Sequence, residues 1–182
     1  MRTGRIIVVT GAQAAGKTTV GAALAALLPR SLHVDADEIQ RMVVSGRARY
    51  DVPPSPAAEE QLRLRHDGAL RLAELYADHG FDAVISDNLF GEHLLRLVRS
   101  ALSRRPDVYV VVLDLDPDVL RAREDARAKS GYTATVTPEL LVRAVREETP
   151  RIGLWHDSAG ETVDQTARLL LERLPEGRIT GI

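Results

Sequence analysis

The stretch Ile6-Ile7-Val8-Val9-Thr10-Gly11-Ala12-Gln13-Ala14-Ala15-Gly16-Lys17-Thr18-Thr19-Val20 decides the reading of this chain. Ile6–Val9 is a short, uninterrupted apolar run, as in a strand buried on both faces. Gly11 through Thr18 is a complete G-x-x-x-x-G-K-[ST] motif, and Val20, Leu24, Leu27 and Leu28 then recur at helical spacing. Strand, glycine-bounded loop and amphipathic helix form the context a phosphate-binding loop requires. By chance, a chain of this length is expected to match the motif at roughly 0.6%.

Each residue type in the loop has a physical task. Gly11 and Gly16 permit backbone angles and close approaches that a side chain obstructs. Ala12, Gln13, Ala14 and Ala15 present N–H groups, which join those at the start of the helix, Thr19 included, to make a cradle for anions. Lys17 is expected at the β- and γ-phosphates and the Thr18 hydroxyl on Mg²⁺. The motif therefore points to a bound nucleoside triphosphate, ATP or GTP, with Mg²⁺. A GTPase would add an Asn/Thr-Lys-x-Asp element, but the chain has two lysines, Lys17 and Lys129, and Lys129 runs into Ser130-Gly131.

Outward from the loop, Leu32–Val34, Ala83–Ile85, Val108–Leu113 and Ile152–Trp155 read as further strands. Phe90, Leu94, Leu97, Val98 and Ala101 trace one helix face, and Val163, Ala167, Leu170, Leu171 and Leu174 trace another. Ser55-Pro56, Asp116-Pro117 and Thr137-Pro138 each place a capping side chain before a proline at the first helical position. Thr162 and Gln165 have capping-box spacing. Alternation of this kind predicts an α/β fold, a parallel sheet covered by helices on both sides. Gly46–Pro56, with three prolines, breaks the pattern as a loop.

The 182 residues suit one domain, taken as 1–182, with an ordinary 45% apolar and 27% charged residues. A net charge of −2 lacks the basic field of nucleic-acid binders. Cysteine is absent, which removes disulfides, thiol nucleophiles and cysteine-ligated zinc. No apolar run approaches the roughly 20 residues of a membrane span, and no signal-peptide core follows Arg2 and Arg5, so a cytoplasmic protein without a membrane or nucleic-acid partner is expected. Composition leaves the oligomeric state open.

Three segments together carry a family resemblance: the glycine loop, Val34-Asp35-Ala36-Asp37-Glu38-Ile39, and Leu120-Arg121-Ala122-Arg123 with Arg127 one turn on. In these the chain resembles the P-loop small-molecule kinases of the nucleoside-monophosphate-kinase-like group. It is most similar there to the chloramphenicol phosphotransferase-like antibiotic kinases, with gluconate and adenylylsulfate kinases as cousins. The resemblance implies a three-layer fold, a five-stranded parallel sheet in the order 2-3-1-4-5, and a mobile lid at about 123–137. It implies transfer of a γ-phosphoryl group to a hydroxyl of a small molecule, such as an antibiotic, and it makes Asp37 the base that contacts that hydroxyl. A metabolic kinase for a sugar acid, nucleoside or coenzyme precursor is the second reading, and a nucleotide-dependent switch or binding module the third.

The remaining candidates fall around this frame. Asp35 and Asp37 end the second strand, where open α/β sheets bind ligands; Asp37 alternatively caps the helix that follows, and Asp35 serves the metal shell or the acceptor. Ala83–Ser86 closes on Asp87, as in a Walker B strand, so that Asp87 holds Mg²⁺ through water or joins Asn88 at the acceptor. Arg123 and Arg127, four apart on a helix, share a face and match a lid that neutralises phosphate charge. Arg41 and Tyr50 are acceptor-pocket candidates, and Asp51, Arg63 and His66 lie in the same region. The five histidines show no metal-ligand spacing. In the resembled kinases, the loop matching Asp157–Gly160 passes the adenine.

Overall fold

The structure is a computed structural model that describes residues 3–126 and 136–182. Along the chain run β1 (Ile6–Gly11), α1 (Lys17–Ala26), β2 (Ser31–Asp35), α2 (Ala36–Arg41), α3 (Pro56–Asp78), β3 (Asp82–Ser86) and α4 (Gly91–Leu102). They are followed by β4 (Val108–Leu113), α5 (Pro117–Asp125), α6 (Pro138–Arg143), β5 (Leu154–His156), α7 (Val163–Arg173) and β6 (Arg178–Ile179). A π-helical turn, Ala144–Glu148, extends α6, and a 3₁₀ turn, Leu174–Gly177, extends α7.

The strands order as β2-β3-β1-β4-β5, all parallel, with helices on both faces. Every residue of β1 and β3 is buried, which is why both read as continuous apolar runs. Register sets Val9 opposite Ser86, Asp35 opposite Ser86 from the other side, and Gly11 opposite Leu113. Parallel pairing thus delivers the ends of β1, β2 and β3 to a single edge of the sheet. The order matches the one the resemblance implied, with a sixth strand added. β5 pairs only with Val111–Leu113, which leaves the first residues of β4 with open backbone groups; β6 fills that gap antiparallel, Val108 opposite Ile179.

Local chemistry accounts for most element boundaries. Ser55 Oγ accepts from the Ala58 N–H at 3.2 Å and Thr137 Oγ1 from the Leu140 N–H at 3.3 Å, while Thr162 and Gln165 cap α7 reciprocally. Asp116 departs from expectation: it holds the cap position of α5, but its carboxylate accepts from Arg146 at 2.9 Å rather than from a helix N–H. The fifth strand also starts later than its apolar pattern suggests. The Ile152 N–H turns back to the Pro150 carbonyl at 2.7 Å and Gly153 takes φ +76°, so pairing begins at Leu154. Among the described residues, no helix is long and apolar enough to cross a membrane.

Gly153 gives a direct test of this packing. A Cβ there would stand 2.5 Å from the Val110 carbonyl oxygen, a backbone atom of the neighbouring strand, and φ is already in the left-handed region. Gly153→Ala is expected to lower the free energy of unfolding by about 2–4 kcal/mol, read from urea denaturation.

Candidate active site

The loop between β1 and α1 is built on close backbone approach. A Cβ on Gly11, which has φ +149°, would lie 2.6 Å from the Leu113 carbonyl oxygen, so only glycine lets β1 run this close beside β4 before turning. Ala14 at φ +66° and Gly16 at φ +94° complete the curl, and Ala12, Ala14 and Ala15 are buried beneath it. Lys17 Nζ donates to the Ala12 carbonyl at 2.8 Å, so the lysine folds back across the loop that precedes it. The first N–H groups of α1 have no intrahelical acceptor, and no acidic side chain occupies that turn. Thr18 and Thr19 are exposed there. The result is a positive, N–H-rich concavity that suits phosphate oxygens.

Arg123 braces this loop from behind. Its guanidinium donates to the Ala15 carbonyl at 3.0 Å and to the Ser158 carbonyl at 2.8 Å, which joins the glycine loop to the segment after β5. Among the described residues its hydrogen bonds are to carbonyls, so in this arrangement Arg123 is a brace. Arg127 and most of the expected lid, with Lys129, lie outside the described residues.

At the end of β2 the two carboxylates divide their work. Asp35, and not Asp37, is the helix cap: Asp35 Oδ1 accepts the Asp37 N–H at 3.0 Å. The Asp37 side chain, 57% exposed, is left to project from the first turn of α2. Arg65 of α3 donates to Asp37 Oδ1 at 3.1 Å and to Gln40 Oε1 at 2.8 Å, and its other terminal nitrogen reaches Asp87 Oδ1 at 2.8 Å. One arginine, 11% exposed, thus ties the carboxylates that follow two adjacent strands.

Asp87 is deeply buried. Its Oδ1 also accepts the Asn88 N–H at 2.7 Å, and its Oδ2 stands 3.1 Å from His66 Nε2, an ion-pair distance without the alignment of a good hydrogen bond. Burial by itself pushes the Asp87 carboxyl up; His66, Arg65 and the Asn88 N–H outweigh it and hold the group below the ordinary carboxylate value. Oδ1 is taken by Arg65 and Asn88 and Oδ2 is buried beside His66, so Asp87 is not open to direct contact with a metal ion, and the role read from its Walker B-like position is left to contact through water. Among the described residues, no group of three or more His, Asp or Glu is arranged around a metal. The exposed Thr18 hydroxyl at the start of α1 suits a hydrated Mg²⁺ carried by phosphates.

A cavity of about 650 Å³ opens beside these groups, reached by Gln13 of the glycine loop and by Gln40, Arg65 and Asn88. Tyr50 lines it and donates to Glu59 Oε1 at 3.2 Å. Arg41 does not line it, because it pairs with Glu38 on the exposed side of α2. Asp51 pairs with Arg49 and Arg63 is exposed, whereas His66 is buried at Asp87. Arg65 and Gln40 were not singled out by their sequence pattern. The available signal was the acid at the end of β3: a carboxylate buried there requires a cation, and α3 precedes it with a run of arginines.

The arrangement is that of a P-loop protein with a cavity at the same sheet edge. The chain belongs to the AAA domain family, whose model matches residues 6–152. Solved structures share its fold at low identity. They include a sugar kinase from a Janibacter species (19% identity, 95% of each chain covered, TM-score 0.68). The tunicamycin resistance protein of Deinococcus radiodurans is similar at 21% identity, over 93% of this chain and 95% of that one, with a TM-score of 0.66. The APS kinase of Mycobacterium tuberculosis, solved with AMPPNP and APS, aligns at 21% identity over 96% of this chain and 99% of its own, with a TM-score of 0.62. No curated protein matches the chain.

The Arg65 bridge makes stability depend on pH in a defined direction. Because Asp87 has a lowered carboxyl pKa in the fold, its contribution is present above the unfolded value near 4 and is lost as pH falls through the folded one. Arg65→Gln is expected to cost on the order of 3 kcal/mol at pH 7, where the buried carboxylate loses its charge partner. The gap to wild type closes only once pH has fallen through the lowered Asp87 pKa of the wild-type fold, below the ordinary carboxylate value. Urea unfolding over a pH series from 7 down to about 2 measures it.

Proposed function

We propose that the protein transfers the γ-phosphoryl group of a nucleoside triphosphate, ATP or GTP, to a hydroxyl of a small molecule. In this reading residues 1–182 act as one catalytic domain, with 123–137 as its lid. The observation that carries it is Asp37, an exposed carboxylate held by Arg65, which itself lines a cavity reached by Gln13 of the glycine loop. The kinase neighbours and the P-loop family support the same reading.

The roles follow from chemistry. Loop N–H groups and Lys17 hold the β- and γ-phosphates, and Thr18 contributes to Mg²⁺, which when bound offsets phosphate charge. The acceptor oxygen forms its bond to the γ-phosphorus as the bond from that phosphorus to the departing diphosphate oxygen breaks. Asp37 takes the hydroxyl proton. A carboxylate is a weak base, but phosphoryl transfer is loose, and an oriented acceptor supplies most of what is needed. Arg65 fixes the Asp37 carboxylate in direction; Asn88 and Tyr50 contact the acceptor. Asp35 acts through the helix that carries Asp37, and Arg127 belongs with the lid. An antibiotic acceptor is supported by the chloramphenicol phosphotransferase-like motifs and by the likeness to a tunicamycin resistance protein.

Single-turnover transfer and nucleotide affinity test the assignment together. Asp37→Asn is expected to slow transfer by on the order of 10²–10⁴ while nucleotide affinity stays within about threefold. Asp35→Asn keeps a good capping side chain and should slow transfer by less than about tenfold. Lys17→Ala should abolish transfer. An acceptor-independent diphosphate release, unchanged by any hydroxyl compound, would instead identify a nucleotide switch.

A further inference from the structure

The cavity lined by Arg65 is poor in cations among its described residues. Arg65 is the one Lys or Arg side chain among its described lining residues, and its terminal nitrogens are already committed to Asp37, Gln40 and Asp87. Glu92 and Glu148 line the same space. Glu92 pairs with Arg99 on the exposed side of α4, but the Glu148 carboxylate meets no cation among the described residues. His93, also on the wall, has its pKa lowered, by burial first and by the neighbouring His66 next, with Glu59 partly opposing.

Hydrogen-bonding capacity is skewed the same way. Asn88 Oδ1 is buried without a donor, while its Nδ2 lies 3.5 Å from Gln13 Oε1. Gln61 is spent on the loop, donating to the Gly46 carbonyl and accepting the Ala48 N–H. The start of α4 reaches the cavity, but the Gly91 N–H donates to Thr149 Oγ1 at 3.0 Å, and Glu92 places a negative charge in that first turn. Arg65 Nε is a buried, unpartnered donor on a guanidinium whose charge is already met by two carboxylates. The rest of the wall includes the apolar side chains of Val52, Leu62, Phe90 and Leu140. A carboxylate, sulfate or phosphate on the acceptor would need an uncommitted arginine fork or a run of open N–H groups. This wall offers acceptor atoms and negative charge instead.

Building on the kinase reading, we infer that the acceptor is a hydroxyl compound without negative charge, neutral or amine-bearing. Its apolar face lies on Phe90 and Leu140, and its hydrogen-bond donors meet Asn88 Oδ1 and Glu148. The volume, about 650 Å³, is that of a site for a drug-sized molecule rather than the smallest metabolites.

The test uses the full chain and three sets of hydroxyl compounds. Gluconate, shikimate and adenylylsulfate form the anionic set, glucose, uridine and chloramphenicol the neutral set, and glucosamine and kanamycin the amine-bearing set. Transfer is read as kcat/KM, and binding is read by calorimetry on the protein saturated with AMPPNP. The best neutral or amine-bearing compound is expected to exceed every anionic one by at least about 30-fold, since an added negative charge gives up its hydration and finds no uncommitted cation among the described lining residues. Glu148→Lys should shrink that ratio by about tenfold or more, chiefly against the amine-bearing set. Preferred transfer to the anionic set would overturn this inference and leave the kinase reading standing. Binding of the neutral or amine-bearing set without any transfer would uphold the inference and defeat the kinase reading. Binding of no set, or equal binding of the anionic set, would overturn it.

Discussion

The Arg65 guanidinium is the interaction on which the candidate site depends. A parallel sheet buried on both faces delivers the acidic residues that follow β2 and β3 to one edge. Arg65, projecting from α3, meets Asp37 and Asp87 at once and makes them a positioned pair. Burial decides which of the two carries which role. Asp87 is buried with Oδ1 bonded to Arg65, so it anchors the arginine; Asp37 is more than half exposed and keeps an oxygen for a ligand. Gln40 Oε1 accepts a further hydrogen bond from the arginine and holds α2 in the same arrangement.

The glycine loop is positioned by equally specific contacts. Gly11 lies against the Leu113 carbonyl, so the loop leaves β1 at the height where β4 ends. Thr10 Oγ1 donates to the Leu89 carbonyl at 2.8 Å and accepts the Leu89 N–H at 3.0 Å, which ties the strand before the loop to the segment that carries Asp87 and Asn88. Arg123 then fixes the far side of the loop to the segment after β5. Through these bonds the phosphate cradle, the buried carboxylate and the cavity wall form one connected frame, and a displacement of α3 or α5 is felt at the loop.

The cavity side is less rigidly built. Its outer wall is the Gly46–Pro56 segment, which is held to α3 mainly through Gln61 and Tyr50. Loops of this kind vary while the scaffold that carries the reactive groups does not, so a single fold serves acceptors of different charge. The kinases that share this fold, named for a sugar and for APS, illustrate that spread.

What the sequence determined by itself was whatever local pattern can encode. The glycine loop, the buried runs of β1 and β4, and the caps at Ser55, Thr137 and Thr162 are legible because each depends on residues a few positions apart. The 2-3-1-4-5 order came from resemblance to a family rather than from any local signal. Tertiary structure decided the rest. That Asp35 caps α2 while Asp37 projects depends on where the helix begins relative to the strand end. That Arg65 rather than Arg63 faces the site depends on how α3 is rotated against the sheet, two positions on a helix being about 200° apart. Asp116 was drawn from its cap by Arg146, 30 residues away in the chain, and β6 exists because β5 leaves half of β4 uncovered. In each case the partner is distant in sequence, and only folding brings its charge or its open backbone groups within reach.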